Sequence, residues 1–82
     1  MSSVDLARNI LDSALQLGGR ARTFGVETPL LGSIPELDSM AVVHIVTAIE
    51  EQLGVTVADD EITADTFETL GSLAHFIEQK QG

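Results

Sequence analysis

Apolar residues recur at helical spacing in the first stretch of the chain. Over residues 3–17, Val4, Ala7, Ile10, Leu11, Ala14 and Leu17 share one side, while Asp5, Arg8, Asn9, Asp12 and Gln16 fall mostly elsewhere, so the spacing predicts a helix. Ser2 or Ser3 is placed to cap its start, and Gly18-Gly19 to supply the left-handed residue that ends it. From Gly19 to Leu37 no period survives, and Gly25, Pro29, Gly32 and Pro35 disfavour regular structure. Loops of this length in compact domains are normally functional or disordered. Phe24, Val26, Leu30, Leu31, Ile34 and Leu37 argue for order here, because they can pin the segment across the helix tops. Ser39 to Leu53 reads as a second helix, with Val42, Val46, Ile49 and Leu53 along one face. Met40, Val43 and Ala48 widen that face beyond an ordinary stripe, so this helix must touch several elements at once.

Gly54 ends the second helix, and Val55-Thr56-Val57 reads as a short extended connector. Ala58-Asp59-Asp60-Glu61 lacks the alternating oxygen ligands, central glycine and distal glutamate of a calcium loop, and reads as a solvated turn. Thr63 to Glu68 predicts a short helix capped by Thr63, with Ile62 and Phe67 as buried pegs. Thr69 is placed to cap a last helix over roughly 70–80, whose inward residues are Leu70, Leu73, Ala74, Phe76 and Ile77. Gly71 lowers its intrinsic helicity, so packing has to hold it. The fold class expected is all-α: a four-helix bundle of three longer helices and one short one, with a long loop between the first two. It forms a single domain over residues 1–82, without an internal repeat or low-complexity tract.

Composition narrows the chemistry. The chain is 44% hydrophobic and has no cysteine, which removes disulfides, thiolate metal sites and a catalytic thiol. Thirteen acidic residues against four basic ones give a formal charge of −9. Such a surface repels nucleic acid and anionic lipid and suits basic protein partners. Arg20 and Arg22 read as solvated loop cations. No apolar stretch approaches the ~18 residues of a membrane span, and the N-terminus has no basic region followed by an apolar one. A cytoplasmic monomer without membrane insertion is therefore expected. There is no glycine-rich phosphate loop, metal-ligand cluster or nucleophile–base–orienter triad, and His44 and His75 read as surface residues, so an enzyme is not expected.

The stretch Glu36-Leu37-Asp38-Ser39-Met40-Ala41-Val42-Val43 is the most informative. Asp38 is placed as an N-cap, and Ser39 then lies in a first turn whose amides and dipole favour an attached or bound anion. Asp-Ser-Met opening an apolar helix that turns acidic at Ile49-Glu50-Glu51, followed by Ile62 and Phe67-Glu68-Thr69, resembles the acyl carrier protein family over nearly the whole chain. The resemblance implies that Ser39 bears 4′-phosphopantetheine, placed there from coenzyme A by a phosphopantetheinyl transferase with Mg²⁺. The arm's thiol then carries acyl or aminoacyl thioesters between loading and acyl-transferring enzymes. It also implies a partner-binding role for Asp38, Met40, Val43, Glu50 and Glu51. Met40 and Val43 read equally as buried residues, or as the edge of a docking surface or acyl cleft. Glu50 and Glu51 sit at a helix C-terminus, where the dipole disfavours anions, so stability does not explain their placement. Family members often carry glycine where this chain has Glu36, and acidic residues where it has Ala41 and His44. These departures lean away from classical fatty-acid synthesis toward specialised or aminoacyl pathways. The rival reading is an unmodified acidic helical adaptor for a basic partner.

Overall fold

A computed structural model describes residues 2–32, 34 and 37–81. Among the described residues three α-helices carry the core: α1 (Ser3–Leu15), α2 (Ser39–Leu53) and α3 (Leu70–Gln81). Between them lie three 3-10 turns, η1 (Arg20–Thr23), η2 (Asp59–Glu61) and η3 (Ala64–Phe67). The all-α class and the layout agree with expectation, with the short fourth helix taking the form of η3. Pro35 and Glu36 lie outside the described residues. Helix α1 packs against both α2 and α3, while α2 and α3 touch each other sparingly. The chain from Val55 to Ile62 is tied to both, by Glu50 of α2 and by Lys80 of α3.

Helix α1 starts at Ser2, whose hydroxyl accepts the Asp5 N–H at 3.1 Å. Ala7, Ile10 and Leu11 are fully buried, and Leu15 nearly so. The helix stops two residues before the spacing predicts. Gln16, not a glycine, takes the left-handed conformation (φ 53°), and the N–H groups of Gln16 and Leu17 both donate to the Asp12 carbonyl. This closure turns Leu17 back into the core, the apolar contact that usually accompanies such a helix end. Gly18 and Gly19 are also left-handed, but they shape the entry to η1. The Asp12 carboxylate holds that entry, accepting Gly19 N–H at 3.1 Å and Ala21 N–H at 3.3 Å.

The long loop is secured mainly through its backbone. Leu30 and Leu31 N–H groups donate to the carbonyls of Glu68 and Phe67, and the carbonyls of Thr28 and Val26 accept from Leu70 and Gly71. The loop therefore supplies acceptors to the first turn of α3, two of the amides every helix start leaves without an intrahelical partner. Leu30, Ile34 and Leu37 are buried and Phe24 is half-buried, as expected of pins. Val26 and Leu31 are not pins: both side chains are half exposed, because at those positions the main chain makes the attachment.

Helix α3 closes the bundle. Thr69 Oγ1 accepts Ser72 N–H at 3.1 Å while Ser72 Oγ accepts Thr69 N–H at 3.0 Å, a reciprocal cap. Leu70, Leu73, Ala74, Phe76 and Ile77 are all buried. Phe67 is buried and Ile62 half-buried, so only the first is a full peg. Helix α2 has the predicted bounds, but its core line is Ala41, Ile45 and Ile49, with Val42, Val46, Ala48 and Leu53 on the flanks. With apolar residues over so much of the girth, periodicity cannot choose the innermost line. Ala41 is thus a core residue and has no place on a recognition face.

Candidate functional site

The mouth of α2 is built by Asp38. Its backbone is extended (φ −118°, ψ −172°), its carboxylate Oδ1 accepts Ala41 N–H at 2.9 Å, and its carbonyl accepts Val42 N–H at 3.0 Å. Ser39 is consequently the first helical residue and is exposed. Among the described residues its hydroxyl makes no hydrogen bond, because Asp38 has taken the capping role that a serine there would otherwise fill. Unpaired first-turn amides and the positive end of the helix dipole lie beside it. A phosphate ester on this oxygen would meet favourable electrostatics and no buried neighbour. The residues fit such a group.

Below Ser39, helical geometry stacks Val43 and Thr47 on successive turns, with Glu50 next on the same side. Met40 is 64% exposed and Val43 56%, so both are surface residues, and of the two readings open for them burial is excluded. His44, Thr47 and Glu51 are exposed as well. Asp38, Ser39, Met40, Val43 and Glu51 therefore share the solvent side of α2.

Beside this face opens a cleft of about 480 Å³, within the size range of small-molecule pockets. Val43, Val46 and Thr47 line its α2 side, and Val57 and Ile62 line the other. Of the α2 residues that line it, Glu50 lies furthest along the helix from Ser39, about 16 Å at 1.5 Å per residue. Its Oε2 accepts Val57 N–H at 2.8 Å, tying the connector to α2. Stability does explain Glu50, contrary to the expectation from the dipole alone. The acyl cleft that the resemblance offered as one reading for Met40 and Val43 is lined by Val43 and not by Met40, and its far wall, from the connector, was not legible in the sequence.

The connector is held from the far side too. Glu61 Oε2 accepts Ala58 N–H at 2.8 Å, Lys80 Nζ pairs with the Glu61 carboxylate, and it also reaches the Thr56 carbonyl at 3.4 Å. The Lys80 ammonium, and then the Ala58 amide, hold the Glu61 carboxyl below the ordinary carboxylate range. The acidic run is therefore more than a solvated turn.

Comparison with known proteins agrees with this geometry. A family model described as phosphopantetheine attachment site matches residues 14–77. The solution NMR structure of a holo acyl carrier protein from Nitrosomonas europaea is 56% identical and superposes with a TM-score of 0.88, covering 98% of this chain and 96% of that one. No curated protein matches the chain. The chain belongs to the phosphopantetheine attachment-site family. It is an acyl carrier protein, not an enzyme, and its covalent prosthetic group is 4′-phosphopantetheine; the unmodified adaptor is not favoured. No described helix is long and apolar enough to cross a membrane.

Proposed function

We propose that Ser39 is the attachment residue and that the face around it is where partner enzymes dock. The observation that carries this reading is an exposed hydroxyl at the mouth of a long helix, with Asp38 doing the capping in its place. When bound, the arm supplies a terminal thiol that holds cargo as a thioester. The chain's own residues do the rest: Asp38 fixes the helix start, the amide dipoles accommodate the phosphodiester charge, and the body presents the arm. Met40 and Val43 offer an apolar contact and Glu51 an acidic one to a basic partner patch. Glu50 supports that face by fixing the connector beside it. The cleft next to Val43 shelters the acyl group. The partners are a phosphopantetheinyl transferase, an acyl- or aminoacyl-loading enzyme and acyl-transferring enzymes of a specialised pathway, met in the cytoplasm by a monomeric carrier of one domain.

Incubation with coenzyme A, Mg²⁺ and a broad-specificity transferase, followed by intact-mass measurement, tests the attachment residue. One phosphopantetheine addition is expected, and none in Ser39→Ala. Addition to a folded Ser39→Ala protein would overturn the assignment.

A further inference from the structure

Met40 carries chemistry that the carrier role does not use. The chain has two methionines and no cysteine, so before the arm is attached all its sulfur is in thioethers. Met40 is 64% exposed, more than Val26, Leu31 or Val43, the other large apolar residues that reach solvent among those described. It lies in the first turn of α2, directly after Ser39. Helical side chains lean toward the N-terminus, which carries this thioether back toward the helix mouth. Exposure governs the oxidation of a thioether, so the sulfur most open to an oxidant stands beside the tether point, on the face that partners meet.

We propose that Met40 is a reversible oxidation site that switches this docking face off. Hydrogen peroxide supplies the oxygen: its O–O bond breaks, an S–O bond forms at Sδ, the thioether loses two electrons and water leaves. The product sets a strongly polar acceptor on an apolar contact. Docking then has to strip water from the sulfoxide oxygen, a cost the thioether does not carry. An unbranched, polarizable methionine suits a face shared by several enzymes, because it adapts to differing surfaces, and the sulfoxide loses that advantage with all of them at once. The fold is spared, since Met40 takes no part in the buried core. Methionine sulfoxide reductases, drawing electrons from a dithiol, remove the oxygen as water and restore the face. This rests on the proposed attachment at Ser39 and on the proposed docking face.

The test treats the full, unloaded chain with hydrogen peroxide, removes the peroxide, and locates the added oxygen by peptide mass. The kcat/KM of phosphopantetheine transfer by a broad-specificity transferase is then measured beside urea unfolding. Oxygen at Met40 should lower kcat/KM about tenfold, near the low end of what burying a methionine side chain contributes, with the urea midpoint unmoved. Methionine sulfoxide reductases A and B with dithiothreitol should restore the rate. Met40→Leu, compared with its own untreated rate, should be insensitive to peroxide. The switch is overturned if Met40 stays unoxidised while free methionine reacts, or if its oxidation leaves the rate unchanged. It is equally overturned if Met40→Leu loses as much rate on treatment, or if the urea midpoint falls along with the rate. Absence of phosphopantetheine on the untreated chain would instead bring down the attachment reading, and this inference with it.

Discussion

Asp38 and Ser39 divide the work at the helix mouth. A carboxylate that satisfies the Ala41 amide leaves the neighbouring hydroxyl available, and an exposed oxygen beside unpaired amides suits a phosphodiester. Asp38→Ala should cost about 1 kcal/mol in urea unfolding, the usual value of a lost cap. Gly71 shows a different constraint. A Cβ there would lie 2.9 Å from the Val26 carbonyl oxygen, the same atom that accepts the Gly71 N–H. Helix propensity favours alanine by about 1 kcal/mol, but backbone cannot yield as a flexible side chain can, and such crowding costs typically about 1–3 kcal/mol. Gly71→Ala should therefore destabilise on balance, as urea titration would show; a gain in stability would mean that the loop moves aside freely. The glycine was visible in the sequence as a weak helix former. Its reason was not, because the atom it accommodates belongs to a distant loop.

At the level of elements, the long loop behaves as a fourth structural layer made of backbone. Its carbonyls start α3, its amides pair with the segment from Phe67 to Glu68, and Asp12 anchors its entry from within α1. The pattern of apolar residues identifies Leu30, Ile34 and Leu37 as its buried side chains, and misjudges Val26 and Leu31, where main-chain bonding leaves the side chain outside. Asp12 reads as a surface residue of the first helix, since no local signal tells that its carboxylate meets two amides after the turn. Asp12→Ala removes both acceptors and should cost about 1–2 kcal/mol, with faster hydrogen exchange at Gly19 and Ala21 than elsewhere. Unchanged exchange at those two amides would show that the loop entry is held by something else.

On the scale of the whole molecule, α1 braces two helices that barely meet, and polar ties join the connector to both of them. One of those ties is pH-sensitive. The folded Glu61 carboxyl is held below its ordinary value of 4.5 by Lys80 and the Ala58 amide, so the unfolded chain takes up the proton first. The contribution is full above the ordinary value and is lost as pH falls through the lowered one. The difference in melting temperature between the natural chain and Glu61→Gln should favour the natural chain near neutral pH and shrink away as acidification below 4.5 carries the pH through the lowered value. A difference that persisted in acid would assign it to packing. The proposed docking face belongs to this scale as well. Met40→Ala with Glu51→Lys should weaken partner turnover while leaving urea stability within about 0.5 kcal/mol, because both side chains are exposed.

The chain alone settles those features that depend on local chemistry. Asp38 followed by Ser39 specifies a capped helix start with a spare hydroxyl, Gly54 specifies where that helix ends, and the spacing of Leu70, Leu73, Ala74, Phe76 and Ile77 specifies the inner face of α3. Each of these rests on neighbours within a turn or two. Tertiary structure decided the rest: which line of α2 is innermost, why Gly71 has no side chain, what Asp12 and Glu50 hold, and which residues wall the cleft beside Val43. In each of those cases the partner is remote in the chain, or the helix is apolar around too much of its girth for periodicity to name a side.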